Sequence, residues 1–261
     1  MVDAHSIAGI NNLPDAEKRE IFLHLVPQEL LDRFSLAPDL MDDQGNNLFW
    51  IHGKPGSRSL ELKIYHQAGF KDPILYCHMV DTLNAQIHVL LYIMNDPFSN
   101  RYNTDVLPDG TPTEFGTRIR NIDAELQAMQ AGLLPGQIRR GLSILSQAVM
   151  SFESFVQKLG HTRYFNEPLY YHNAIIFERY GFNYQVGKKR METIHTRFLE
   201  DEEIISQFGT TPFRRPEAQH SIFFRSWAIH DGILGEHFDG VTMYKVIGQK
   251  GAVNTAPGIN W

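Results

Sequence analysis

The sequence predicts a mixed α/β fold: one domain with a partly antiparallel central sheet flanked by helices. Three observations carry this. Residues 48–95 alternate apolar and polar side chains at period two and are broken by short turns. Residues 142–159 carry an apolar stripe at helical spacing. From there to Met191, β-like and helix-like runs alternate. Residues 1–47 read as a helical N-terminal extension, 48–191 as the core with an insertion at 96–132, and 192–261 as a C-terminal addition containing strands.

With 261 residues, 43% apolar and 21% charged, the chain can bury a substantial core, and neither disorder nor a collagen-like repeat fits. A net charge of −6 argues against general nucleic-acid affinity, which rests on neutralising backbone phosphates. The longest apolar runs, 73–81 and 87–94, fall short of the roughly 18 residues of a spanning helix. The start, Met1-Val-Asp-Ala-His5, lacks a leader pattern. A single cysteine, Cys77, leaves no internal disulfide, as suits a reducing compartment, and a cytoplasmic location is expected.

Pro14 followed by Asp15 and Glu17 predicts a helix start, with Ile21, Phe22 and Leu25 on one face. Pro27 opens a second helix carrying Leu30, Leu31 and Phe34. Leu60, Leu62 and Ile64 alternate with Glu61, Lys63 and Tyr65 as in a half-buried strand. Residues 73–81 and 86–94 are two further strands, and short turns imply an antiparallel meander. Residues 96–110 are rich in turn formers, and a helix with Ile122, Leu126 and Met129 on one face stops at Gly132. A connection this long either covers a substrate pocket or is an insertion without one. After Met191, residues 201–207 read as a short helix, and 222–229 and 241–247 as strands.

Leu142, Leu145, Val149, Phe152, Val156 and Leu159 predict a long helix that Gly160 stops. The stripe is core. The front of the helix is where chemistry enters, because its first amides lack helical partners and the dipole makes that end positive. The loop before it, Leu134-Pro-Gly-Gln-Ile-Arg-Arg-Gly-Leu-Ser143, adds the charges of Arg139 and Arg140 and two glycines, Gly136 and Gly141, that admit close approach. Together these form a candidate pyrophosphate seat.

Ile138-Arg-Arg-Gly-Leu-Ser143 and Phe177-Glu-Arg-Tyr-Gly-Phe182, with Gly141 and Gly181 40 residues apart, resemble paired motifs of the GNAT acyltransferase superfamily. The resemblance covers residues 134–191. It implies a GNAT-like core, acetyl-CoA or another acyl-CoA as co-substrate, no metal, and acyl transfer to a small-molecule or peptide amine by direct attack. It places the cofactor on Gly136, Gln137, Ile138, Arg139, Arg140, Gly141, Leu142 and Ser143, with Asn173 and Phe177 beside it. The departures are Ile138 where the family prefers arginine or glutamine, Ser143 at the end of the loop, and Phe177 in place of an acid tyrosine. Tyr170 falls where the family has asparagine, and Asn173 lies one turn away.

Direct attack needs a base for the ammonium proton and an acid for the thiolate. Glu167, His172 and Glu178 are the base candidates, and Tyr170, Tyr171 and Tyr180 the substitute acids. A non-catalytic acyl-CoA-binding protein is the alternative that Phe177 motivates. A metal enzyme is another, since His172, His195, His220, His230, Asp231, Glu236 and His237 crowd the C-terminal region, although no tight ligand spacing appears among them. Neither nucleic acid nor membrane is expected as a partner; a homodimer is compatible with the sequence.

Overall fold

The computed structural model describes residues 5–261. Met1–Ala4, part of the start read above as lacking a leader, lies outside the described residues. The chain opens with three helices, α1 (Ile7–Asn11), α2 (Asp15–Leu23) and α3 (Gln28–Phe34). Four strands follow: β1 (Phe49–His52), β2 (Ser59–Ile64), β3 (Leu75–Asp81) and β4 (Ile87–Met94). Then come α4 (Ile122–Gln130), α5 (Leu145–Lys158), β5 (Arg163–Asn166), α6 (Tyr171–Arg179) and β6 (Asn183–Val186). The C-terminal part holds α7 (Lys188–Glu200), α8 (Glu202–Ser206), α9 (Ile222–His230) and β7 (Thr242–Val246).

The strands form one seven-stranded sheet in the order β1-β2-β3-β4-β5-β7-β6. The expected meander is there: β1 to β4 pair antiparallel in sequence, and β4 then pairs parallel with β5. Among the described residues, no helix is long and apolar enough to cross a membrane.

The chain divides into two compact units. The first comprises the chain up to Phe98, Gly141–Glu167 and Tyr244–Lys250. The second comprises Ser99–Arg140, Pro168–Met243 and Gly251–Trp261.

In the first unit, the period-two pattern of β2 buries Leu60, Leu62 and Ile64 almost completely. The helices read as an extension belong to this core, since Ile7, Ile10, Phe22 and Leu30 are fully buried. Asp81 fixes α1 by accepting hydrogen bonds from the amides of Ile7 and Ala8, where a carboxylate also meets the positive end of the helix. Phe22 of α2 and Phe155 of α5 are 5.8 Å apart, and Phe152 packs on Tyr164 of β5 at 4.9 Å. The α5 stripe holds at Phe152 and Val156, while Leu145 and Val149 are half-buried and Ala148 and Phe155 take the deeper positions. Gly160 closes the helix in the left-handed conformation, φ +83°.

One expected strand in the second unit is a helix, and another is cut short by one. Residues 222–229 form α9, which buries Ile222, Arg225, Ser226 and Ile229 at helical spacing. Arg225 and Ser226 hide that spacing from an apolar count, and a short apolar run does not separate strand from buried helix. Ser221 caps α9 through its side chain. The expected strand up to Met191 stops at Val186, because Gly187 turns the chain at φ +96° into α7. Its missing side chain leaves room for Gly240 and Val241, which would lie within 3.0 Å of a Cβ. The strand expected at 241–247 is β7, which lies between β5 and β6 in the strand order.

Candidate functional site

The first unit contains a place where two parallel strands part. The β4–β5 register holds only His88 to Phe165 and Val89 to Asn166. The Glu167 amide then donates to the Val89 carbonyl at 3.3 Å, and β5 has ended. On its other edge β4 carries a bulge: Val89 faces Met79 but Leu91 faces His78, leaving Leu90 extra. Past the bulge, the Asn95 amide donates to Ile74 on the β3 side. By strand alternation the main-chain groups of Met94 point the opposite way, toward the side that β5 no longer occupies.

The helix α5 starts at this end. In a parallel crossover the connecting helix runs against the strands, so its N-terminus lies at their carboxyl ends, where open α/β sheets take ligands. Ile144 caps α5 without a side-chain hydrogen bond, and the first turn carries no acid, unlike α2 and α8. Its leading amides therefore keep their positive character. Ser143 turns the chain at φ +60°, an unusual conformation for a residue with a side chain. Arg33 at the end of α3 donates to the Leu142 carbonyl at 2.7 Å, fixing the entry. Leu142 is buried, Gly141 and Ser143 are exposed, and a Cβ on Gly141 would sit 3.7 Å from the Met94 carbonyl, an ordinary contact.

Glu167 is exposed just beyond β5 and follows Phe165 in alternation, on the face that also carries His88. Burial lowers the pKa of His88, and the nearby Glu167 carboxylate partly offsets this. The sequence reading passed over His88, which there only interrupts an apolar run. Asn166, too, is absent from the residues that the sequence singles out.

The rest of the predicted loop belongs to the second unit and is pinned to that unit's own chain. A Cβ on Gly136 would lie 2.4 Å from the Tyr170 ring, so this glycine makes room for a side chain rather than a ligand. Gln137 accepts from the Leu134 amide through its side chain and from Thr104 through its carbonyl. Ile138 is buried and accepts from the Tyr102 amide. Arg139 donates to the Ser99 carbonyl, and the backbone amide of Arg140, an exposed residue, donates to the Ser99 hydroxyl.

The other candidates are also in the second unit and hold it together. Tyr170 donates to the Phe115 carbonyl at 2.5 Å, and burial raises its pKa. His172 is 2% exposed, with Nδ1 2.7 Å from the Ser226 hydroxyl, and burial pushes its pKa down to about 3. Glu178 is buried and accepts from the Tyr184 hydroxyl at 2.5 Å and from the hydroxyl and amide of Thr255. Asn173 lies in the first turn of α6, and Phe177 packs on Phe182 at 5.0 Å. Of the base candidates, Glu167 is the one in the first unit and the one exposed to solvent.

The residues of the metal reading have other partners. His230 bonds Glu125 at 3.0 Å, and Asp231 accepts from Arg120 and Arg214. His195 lies 3.3 Å from Arg225, and Glu236 pairs with Arg190. The backbone carbonyls of His220 and His237 accept from Asn260 and Arg190. Among the described residues, no three His, Cys, Asp or Glu side chains come together as a ligand set.

Comparison with known proteins finds no matching family model, no matching curated protein and no matching solved structure.

Proposed function

We propose that the chain transfers an acyl group from coenzyme A to an amine, with the first unit carrying the site. The observation that supports this reading most is a helix front without a side-chain cap or first-turn acid, whose lead-in at Gly141 lies against Met94 of β4, past the point where the β4–β5 pairing stops. The amides of Leu145, Ser146 and Gln147 would hold the diphosphate, with Gly141 and Ser143 exposed beside them. The acyl-coenzyme A supplies the thioester: the amine nitrogen forms the new C–N bond as the C–S bond breaks, and coenzyme A leaves as a thiolate that takes up a proton. The remaining chemistry belongs to the chain: main-chain amides along β4 past the bulge are the candidate donors for a developing oxyanion. Glu167 accepts the ammonium proton of the incoming amine.

The acceptor is a small-molecule or peptide amine, because Glu167 is exposed and sits beside His88 at a strand end rather than in a closed cavity. The test is thiol release from acetyl-CoA in the presence of a panel of polyamines, aminoglycosides and lysine peptides. Glu167→Gln is expected to lower kcat/KM for the best acceptor by about 10²-fold or more while leaving acetyl-CoA affinity unchanged. An unchanged rate in that variant, or no amine that accelerates thiol release in the native protein, would sink the reading.

A further inference from the structure

Asn166 ends β5 and is 4% exposed, yet neither its Nδ2 nor its Oδ1 has a hydrogen-bond partner. Burying an amide without partners costs a few kcal/mol on typical scales, and native proteins seldom leave both ends of one unmet. A leucine or valine would fill this core position without that penalty, so the polar atoms call for a use.

Its position follows from the packing. Tyr164 meets Phe152 of α5 at 4.9 Å, and Asn166 lies two residues further along β5 on the same face. At a strand rise of ~3.3 Å that is about 7 Å toward the carboxyl end, and α5, running the other way, covers it in about four residues. Asn166 therefore stands level with Ala148, in the first turn of α5. Its strand partner is Val89, the last β4 residue before the bulge and the point where the two strands part. The Tyr92 hydroxyl, buried and also unpartnered, lies further along β4. The unmet amide thus sits beneath the helix front, in the seam between the strands.

We infer that Asn166 is a ligand-binding residue whose side chain takes an amide group of the bound molecule, donor to acceptor and acceptor to donor. A carboxamide is self-complementary to another amide, whereas a phosphate or a carboxylate would use only its N–H groups. Under the acyl-carrier reading, on which this inference rests, the partner is one of the two secondary amides in the pantetheine arm. Asn166 then reads the arm and the α5 front reads the diphosphate, so the two contacts are separable.

The experiment compares native protein with Asn166→Leu in titrations against coenzyme A, pantetheine and adenosine 3′,5′-bisphosphate. Pantetheine has the amides without the nucleotide, and the bisphosphate has the nucleotide end without the amides. The expected result is a loss of about tenfold or more in affinity for coenzyme A and pantetheine, an unchanged bisphosphate affinity, and an unliganded melting temperature equal to or above that of the native protein. Asn166→Ala, which cannot overpack, repeats the measurement should the leucine variant fail to fold. Equal affinity of native and variant for coenzyme A and pantetheine would overturn the inference, leaving a buried water as the amide's partner. If pantetheine binds and is weakened but coenzyme A binds the native protein no more tightly than pantetheine does, the diphosphate seat fails while Asn166 stands. If nothing binds the native protein, both fall.

Discussion

Glu125→Ala is expected to destabilise the second unit by about 3–5 kcal/mol, a drop of roughly 10–20 °C in melting temperature. Glu125 in α4 is 1% exposed and takes Nε and Nη2 of Arg120 at 2.8 and 2.5 Å and Nε2 of His230 at 3.0 Å. Burial alone would raise its pKa, but the hydrogen bonds from His230 and Arg120 hold it below the ordinary carboxylate range. Arg120 also donates to Asp231 at 2.7 Å, and Arg214 reaches the other Asp231 oxygen at 2.9 Å. Removing Glu125 leaves the Arg120 Nε and the His230 ring without their acceptor in a largely buried site, and that orphaning is the main cost. Glu125→Gln keeps one acceptor oxygen and should lose less. Thermal or denaturant unfolding reads the difference directly. A loss below about 1 kcal/mol would show that these groups find water or other partners.

The second large effect is acid instability centred on His172. The imidazole is fully enclosed, stacked on Tyr170 at 5.6 Å and 13°, with Ser226 on Nδ1. Burial, helped by His230, lowers its pKa to about 3, against about 6.5 in an unfolded chain. Between those values the unfolded chain binds a proton that the folded chain refuses, so stability is whole above pH 6.5 and drains away as pH falls. The loss is about 2 kcal/mol at pH 5 and about 4 kcal/mol at pH 3, levelling off near about 5 kcal/mol below that. His172→Gln, which can still bond Ser226, should flatten the dependence of unfolding free energy on pH by about one proton between pH 6.5 and 4. An unchanged slope would assign the acid sensitivity to other groups.

Much of the first unit is legible in the sequence because its signals are local. The alternation of Leu60, Leu62 and Ile64 and the helical spacing around Phe152 and Val156 each fix which face is buried. The second unit is harder to read because polar residues do the work of apolar ones there. Arg225 is fully buried, satisfied by the carbonyls of Ala218 and Gln219 and by the ring of Phe198 at 4.8 Å, so the period of α9 disappears from an apolar count. Gly136 shows the same limit at the candidate site. A glycine in a basic loop reads as a ligand contact, whereas its purpose, room for Tyr170, depends on a residue 34 positions later. The sequence does point to the front of α5. Asn166 becomes visible only once strand pairing shows that it is enclosed and has nothing to bond.

The proposal as a whole depends on whether the bare amides at the start of α5 bind an anion. Ser146 is exposed in that first turn and its hydroxyl donates to the neighbouring Gln147 side chain, so Ser146→Asp places a carboxylate there with little disturbance. Acid in the first turn favours the helix by a few tenths of a kcal/mol to about 1 kcal/mol, so the unliganded variant should be at least as stable as the native protein. The same charge competes with a diphosphate. Calorimetric titration with acetyl-CoA is expected to show binding to the native protein and at least about tenfold weaker binding to the variant. Equal affinity for both, or no heat of binding to the native protein, would contradict the account.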